Sequence, residues 1–158
     1  MRLSSEAYRE LLTGLLAEGQ TVLTRVRGIS MTPAVPDGAT ARIEPPGGQP
    51  ARVGEVVMTT TPRGLLCHRV LGVSPEGRIA TWGDVCRAPD EPVSSEDVIG
   101  RVVAVEVDGT WQALPPKPAW WLPGRWLKYR LRRLLGLVGS GEAPTCTAAP
   151  EREGDDTS

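Results

Sequence analysis

Phenylalanine is absent from this 158-residue chain, aromatic residues make up only 4% of it, and histidine occurs once. A core without Phe must be built from aliphatic side chains. With 40% hydrophobic residues, rich in Val and Leu, an ordered β-rich domain is the natural outcome. A single imidazole, His68, means that no other histidine can act as a base. Lysine is almost as scarce, and Lys117 and Lys128 are its only occurrences. No amine base is therefore available in the first 116 residues. No stretch reaches the ~18 apolar residues of a membrane-spanning helix. A secretory leader is not expected either, because Glu6, Arg9 and Glu10 interrupt any apolar run near Met1. The net charge of −1 argues against a general nucleic-acid binder. Three cysteines, Cys67, Cys86 and Cys146, fit a reducing compartment. Together these absences point to a cytoplasmic protein.

What is present reads as one small domain with an appendage. Ser4 or Ser5 caps a helix that runs to about Glu18, with Tyr8, Leu11, Leu12, Leu15 and Leu16 as its apolar stripe and Gly19 as its stop. Strand signals follow over 21–27, 39–44, 55–60, 65–73, 78–82 and 98–107. Asp108-Gly109 forms a hairpin turn into 110–114. Residues 1–20 form an N-terminal amphipathic helix packed on the domain, and 21–114 form the β domain. Residues 115–138 hold a Pro/Trp linker and a basic amphipathic helix, and 139–158 are a tail expected to be disordered. The fold class is mainly β, with strongly bent sheets and a helix at each end.

Three segments carry chemistry: Gly28-Ile29-Ser30-Met31-Thr32-Pro33, then Leu66-Cys67-His68-Arg69-Val70, then Gly83-Asp84 with Asp90 six residues on. In this order they make a serine hydrolase constellation. A serine hydroxyl needs a neighbouring base to take its proton, a neutral imidazole suits that role, and a carboxylate can hold the imidazole in the right tautomer. A zinc site from Cys67, His68 and Cys86 is disfavoured, because neighbouring strand residues point to opposite faces. Neither a metal nor a cofactor is expected.

These residues resemble the S24/S26 clan of serine peptidases, the signal peptidase and LexA-like group. Ser-Met-x-Pro, His-Arg-Val, Gly-Asp-x5-Asp and the later Val98-Ile99-Gly100-Arg101-Val102-Val103 carry the resemblance, which runs from about Leu11 to Val107. It is strongest for the Ser-His branch found in archaeal and endoplasmic-reticulum signal peptidases. The Ser-Lys branch would need a lysine near His68. Only about 20 residues precede the β domain, with no helix-turn-helix pattern, which argues against a LexA-type repressor.

The resemblance implies a LexA/signal peptidase-like bent sheet, with Ser30 as nucleophile and His68 as general base. Asp84 and Asp90 match the family's two acidic positions; one would orient His68 and the other would be structural, and the choice stays open at this point. Arg69 is expected to form an ion pair with a nearby acid. Met31 and Pro33 would shape the floor of a peptide groove. Housekeeping signal peptidases often carry a hydroxyl residue two positions before the nucleophile. Here that position is Gly28, so the Ser30 amide would carry more of the oxyanion hole. The implied activity is a serine endopeptidase that cleaves an extended leader or signal segment beside an edge strand, with small residues at P1 and P3. The alternative is a non-catalytic or regulatory peptide-binding module on the same scaffold.

The C-terminal helix has two readings. Trp126, Leu127, Leu131, Leu134, Leu135, Leu137 and Val138 share one half of its wheel, and Arg125, Lys128, Arg132 and Arg133 the other. With Trp120 and Trp121 just ahead, that pattern suits an interfacial helix on anionic lipid, hence possible peripheral membrane contact through 120–138. It also suits a helix packed on the domain's own core.

Overall fold

A computed structural model of the chain describes residues 4–117 together with Gly124 and Leu127. The expectations for a C-terminal amphipathic helix, its membrane contact and a disordered tail lie outside the described residues, save that Gly124 and Leu127 are helical.

Helix α1 spans Ser5–Ala17. The Ser4 side chain accepts from the Ala7 amide, supplying the N-terminal cap that the sequence suggests. Gly19, with φ of +82°, lets the chain leave in the left-handed region. Of the five stripe residues only Leu12 and Leu16 are buried, while Tyr8 and Leu11 are exposed. The buried face is thus narrower than the apolar pattern. Tyr8 still anchors the helix through a hydrogen bond between its hydroxyl and that of Thr24.

Eight strands follow: β1 Val22–Arg25, β2 Thr40–Glu44, β3 Val56–Thr61, β4 Gly64–Val73, β5 Arg78–Trp82, β6 Val93–Ser94, β7 Val98–Val107 and β8 Thr110–Ala113. All pairings are antiparallel, in the order β1-β2-β7-β3-β4-β5-β6. Strand β7 organises the sheet. One of its edges pairs with β2. Along the other edge Val98–Val102 pairs with β3, and Ala104–Val107 pairs with β8. Register shifts at Arg42/Ile43, Met58/Thr59 and Val70/Gly72 bend the sheet. The protein is mainly β, as its composition and strand pattern imply. The β7–β8 turn has positive φ at both Asp108 (+50°) and Gly109 (+75°), the geometry of a tight two-residue hairpin. The two-residue β6 and the single 3₁₀ turn Ser95–Asp97 have no counterpart among the strand signals, being too short to alternate.

The main core lies between α1 and the sheet, where Leu12 and Leu16 meet Ala41, Ile43, Val56, Val102 and Val105. A second cluster, Val57, Val70, Ile79 and Val98, fills in beside it. Gly100 makes room for the helix: a Cβ there would come within 2.5 Å of Ile43 Cγ2 and 3.3 Å of Leu16 Cδ1. Strand β4 is buried on both faces from Cys67 to Leu71, and this sets the terms for the charged residues it carries.

The helix–sheet seam gives a first prediction. Leu16→Ala, at a side chain 1% exposed, should lower unfolding free energy by ~2–5 kcal/mol in urea titration. Leu11→Ala, at a side chain 49% exposed, should cost less than about 1 kcal/mol. Equal losses would mean that the helix docks through a different face.

Candidate functional site

His68 and Arg69 are adjacent on β4, so their side chains leave opposite faces of the strand. Both are almost fully buried, at 1% and 2% exposed. A buried ionisable group needs a partner inside the protein. Both partners come from the loop that follows β5.

His68 Nδ1 lies 2.6 Å from Asp90 Oδ2. A carboxylate only accepts, so Nδ1 carries the proton and Nε2 of the neutral ring holds the free lone pair. Thr81, on β5, donates its hydroxyl to the same Oδ2 at 2.7 Å, and the Asp90 amide donates to Thr81 O at 2.9 Å. Nε2 is buried and has no hydrogen-bond partner among the described residues.

On the other face, Arg69 and Asp84 form a bidentate pair, Nε to Oδ1 at 2.9 Å and Nη2 to Oδ2 at 2.8 Å. Arg69 Nη1 also donates to Gly54 O at 2.8 Å. The sequence alone leaves the role of each acid open; the geometry joins His68 to Asp90 and commits both oxygens of Asp84 to Arg69. Burial by itself would raise the Asp84 pKa. The hydrogen bonds and charge of Arg69, helped by Lys117, outweigh it and hold the carboxyl below its ordinary value. Burial pushes the Cys67 thiol up to about 12, despite the opposing charge of Arg69, so it stays protonated at neutral pH.

Lys117 corrects an expectation. It was placed beyond the β domain, yet its amide donates to Gly54 O at 3.1 Å and its Nζ to Asp84 Oδ2 at 3.3 Å. Gly54 allows the approach: its φ is +91°, and a Cβ there would stand 2.0 Å from Lys117 O. The segment after β8 therefore folds back onto Gly54 and Asp84 at Lys117.

Ser30 sits in the turn between β1 and β2, half-buried. The turn is pinned at several points. The Gly28 amide donates to Asp37 Oδ1 at 2.8 Å, and Gly28 has a φ of +100°. That amide is spent on Asp37, so Gly28 offers an oxyanion neither side chain nor N–H. Met31 is 2% exposed and belongs to the main core, so its side chain lies beneath the turn. Its role is to anchor the turn from below. Pro33 is exposed and follows a cis peptide bond.

Gly83 joins the serine turn to the histidine. A Cβ on Gly83 would lie 2.3 Å from Cys86 Sγ, 2.9 Å from His68 Nε2 and 3.0 Å from Ser30 O, so only glycine lets these three groups close around that point. The Val85 amide donates to Ser30 O at 3.0 Å, tying the loop to the turn. In the sequence Gly83 stands out only as part of Gly-Asp, and Thr81 carries no local signal; its place beside Asp90 shows only in the fold. Among the described residues no group of three or more His, Cys, Asp or Glu side chains could hold a metal ion. Nor is any helix among them long and apolar enough to cross a membrane.

Comparison of the chain with protein-family models, with curated proteins and with solved structures found no match.

The buried pair yields a second prediction. Asp84→Asn leaves Arg69 buried and poorly compensated, and should cost ~3–5 kcal/mol in chemical denaturation at pH 7. The pH dependence follows from a carboxyl whose folded pKa lies below its unfolded one. Its stabilisation is full above the unfolded value of about 4 and is lost as pH falls through the lower folded value. Wild-type stability should therefore drop more steeply below about pH 4 than that of Asp84→Asn. Parallel curves would show that Asp84 contributes no linked stability.

Proposed function

We propose that this chain is a serine endopeptidase of the signal peptidase-like type, with Ser30 as nucleophile, His68 as general base and Asp90 as the carboxylate that orients the imidazole. The LexA/signal peptidase-like fold belongs to the same proposal. It is supported by the bent antiparallel sheet and by the order of the Ser-Met-x-Pro, His-Arg-Val and Gly-Asp-x5-Asp motifs. One observation carries the reading: a buried imidazole, bonded to a carboxylate at 2.6 Å through Nδ1, leaves Nε2 unpartnered at the serine turn.

The chemistry follows from that arrangement. Nε2 takes the Ser30 Oγ proton as Oγ bonds to the scissile carbonyl carbon; this requires Oγ and Nε2 to approach to ~3 Å when the peptide binds. Asp90 stabilises the imidazolium that forms. The C–N bond then breaks, and the proton passes from Nε2 to the leaving amine. Water repeats the sequence on the acyl-serine, giving a free carboxylate and regenerating Ser30. The Ser30 amide, which makes no hydrogen bond among the described residues, is the available oxyanion donor. Asp84 has no part in these steps. The substrate class is an extended peptide or protein segment, and neither a metal nor a cofactor enters the scheme.

A fluorophosphonate probe tests this without a known substrate. The wild-type protein should be labelled at Ser30, as mapped by mass spectrometry. Ser30→Ala should abolish labelling, and His68→Ala should slow it by about 10²-fold or more with the fold retained. Asp90→Asn should slow it more, per folded molecule, than Asp84→Asn. Labelling of Ser30 in His68→Ala at the wild-type rate would exclude the mechanism, and a folded wild-type protein that takes no label would favour the peptide-binding module.

A further inference from the structure

We propose that Thr81 is a positioning residue for the proposed catalytic pair, holding the Asp90 carboxylate so that Oδ2 stays on His68 Nδ1. The inference rests on the peptidase reading for its effect on reaction rate, although its effect on the imidazole can be measured without any reaction.

Asp90 lies in the loop between β5 and β6, with a side chain 22% exposed. A carboxylate with that access to water gains by turning outward, where solvent can fill its remaining lone pairs. Two donors resist this among the described residues, and both bind the same oxygen: His68 Nδ1 at 2.6 Å and Thr81 Oγ1 at 2.7 Å. A hydroxyl given to a carboxylate is a charge-assisted bond, stronger than one to a neutral acceptor.

Thr81 is well placed to hold. It is 2% exposed, on a strand paired with β4, where its partner across the ladder is Val70. Val70 and His68 are two residues apart, so their side chains share a face of β4. The main chain of Thr81 also receives the Asp90 amide at 2.9 Å. One residue thus grips Asp90 by backbone and side chain, and fixes the carboxylate relative to the strand that carries His68.

The test uses the single histidine. With only one imidazole in the chain, one Nδ1 proton resonance is expected in the NMR spectrum, downfield and slow to exchange while Asp90 holds it. Thr81→Val keeps the shape and removes the donor. It should move that resonance upfield, speed its exchange and slow fluorophosphonate labelling of Ser30 by about 10-fold. Thr81→Ser, which keeps the hydroxyl, should restore both readouts. A wild-type resonance and labelling rate in Thr81→Val would overturn the proposal, as would a Thr81→Ser protein behaving like Thr81→Val. Loss of the fold in both Thr81→Val and Thr81→Ala would assign the residue to stability and overturn it equally. If wild-type Ser30 takes no label, the peptidase reading fails, and the resonance still decides whether Thr81 positions the pair.

Discussion

The covering of β4 on both faces is the constraint from which the site follows. Five consecutive residues, Cys67 to Leu71, are buried, and two of them are His68 and Arg69. An unpaired guanidinium in such a place costs several kcal/mol, on the order of the loss seen when a buried ion pair is broken. Because the two side chains leave opposite faces, one carboxylate cannot serve both. The chain answers with two acids in one loop, Asp84 and Asp90. Arg69 takes Asp84 with a bidentate fork, and His68 takes Asp90 through one nitrogen. The loop is therefore fixed twice to the same strand, once from each side.

That double attachment positions everything else near Ser30. The loop begins at Gly83, whose missing side chain lets the serine turn and the imidazole come together. It is stiffened by the Trp82 indole donating to Cys86 O at 2.9 Å and by the Cys86 amide donating to Gly83 O at 3.0 Å. It is tied to the serine turn by the Val85 amide. The turn itself is held from below by Met31 and Val35 in the core and from above by Asp37 on the Gly28 amide. A site built this way is preorganised by packing: its polar members sit on strands or on loops cross-linked to strands.

The parts of this arrangement that are local in sequence could be read from it. The strand signal over 39–44 marks β2, where Ala41 and Ile43 alternate with exposed Arg42 and Glu44 and are fully buried. Ser4 and Gly19 mark the ends of α1 because capping depends on residues a few positions apart. The pairing of Arg69 with a nearby acid was also legible, but not which acid. Asp84 and Asp90 lie in one loop, and Asp84 is the nearer in sequence to both His68 and Arg69, so the choice depends on strand parity combined with the path of the loop. Lys117 was misplaced for a similar reason. Its contact with Asp84 depends on the backbone at Gly54, more than sixty positions earlier, and no local pattern announces it. The burial of the Met31 side chain has no local signal either; only the packing of the main core shows it.

The remaining physical oddity is what the fold leaves unpaired. Two buried side-chain polar atoms among the described residues lack a partner, His68 Nε2 and Thr32 Oγ1. Leaving such an atom unsatisfied costs ~1–3 kcal/mol, so a domain tends to avoid it unless something is gained. Nε2 lies beside Gly83 and the serine turn, and Thr32 is two residues beyond Ser30 in that turn. Elsewhere the same fold is thorough, even spending three nitrogens of Arg69 on Asp84 and Gly54. An orphan acceptor beside this turn is what the proposed role of His68 as a base would require, because its lone pair must be free when a hydroxyl proton arrives. A purely structural histidine would gain by donating or accepting at both nitrogens.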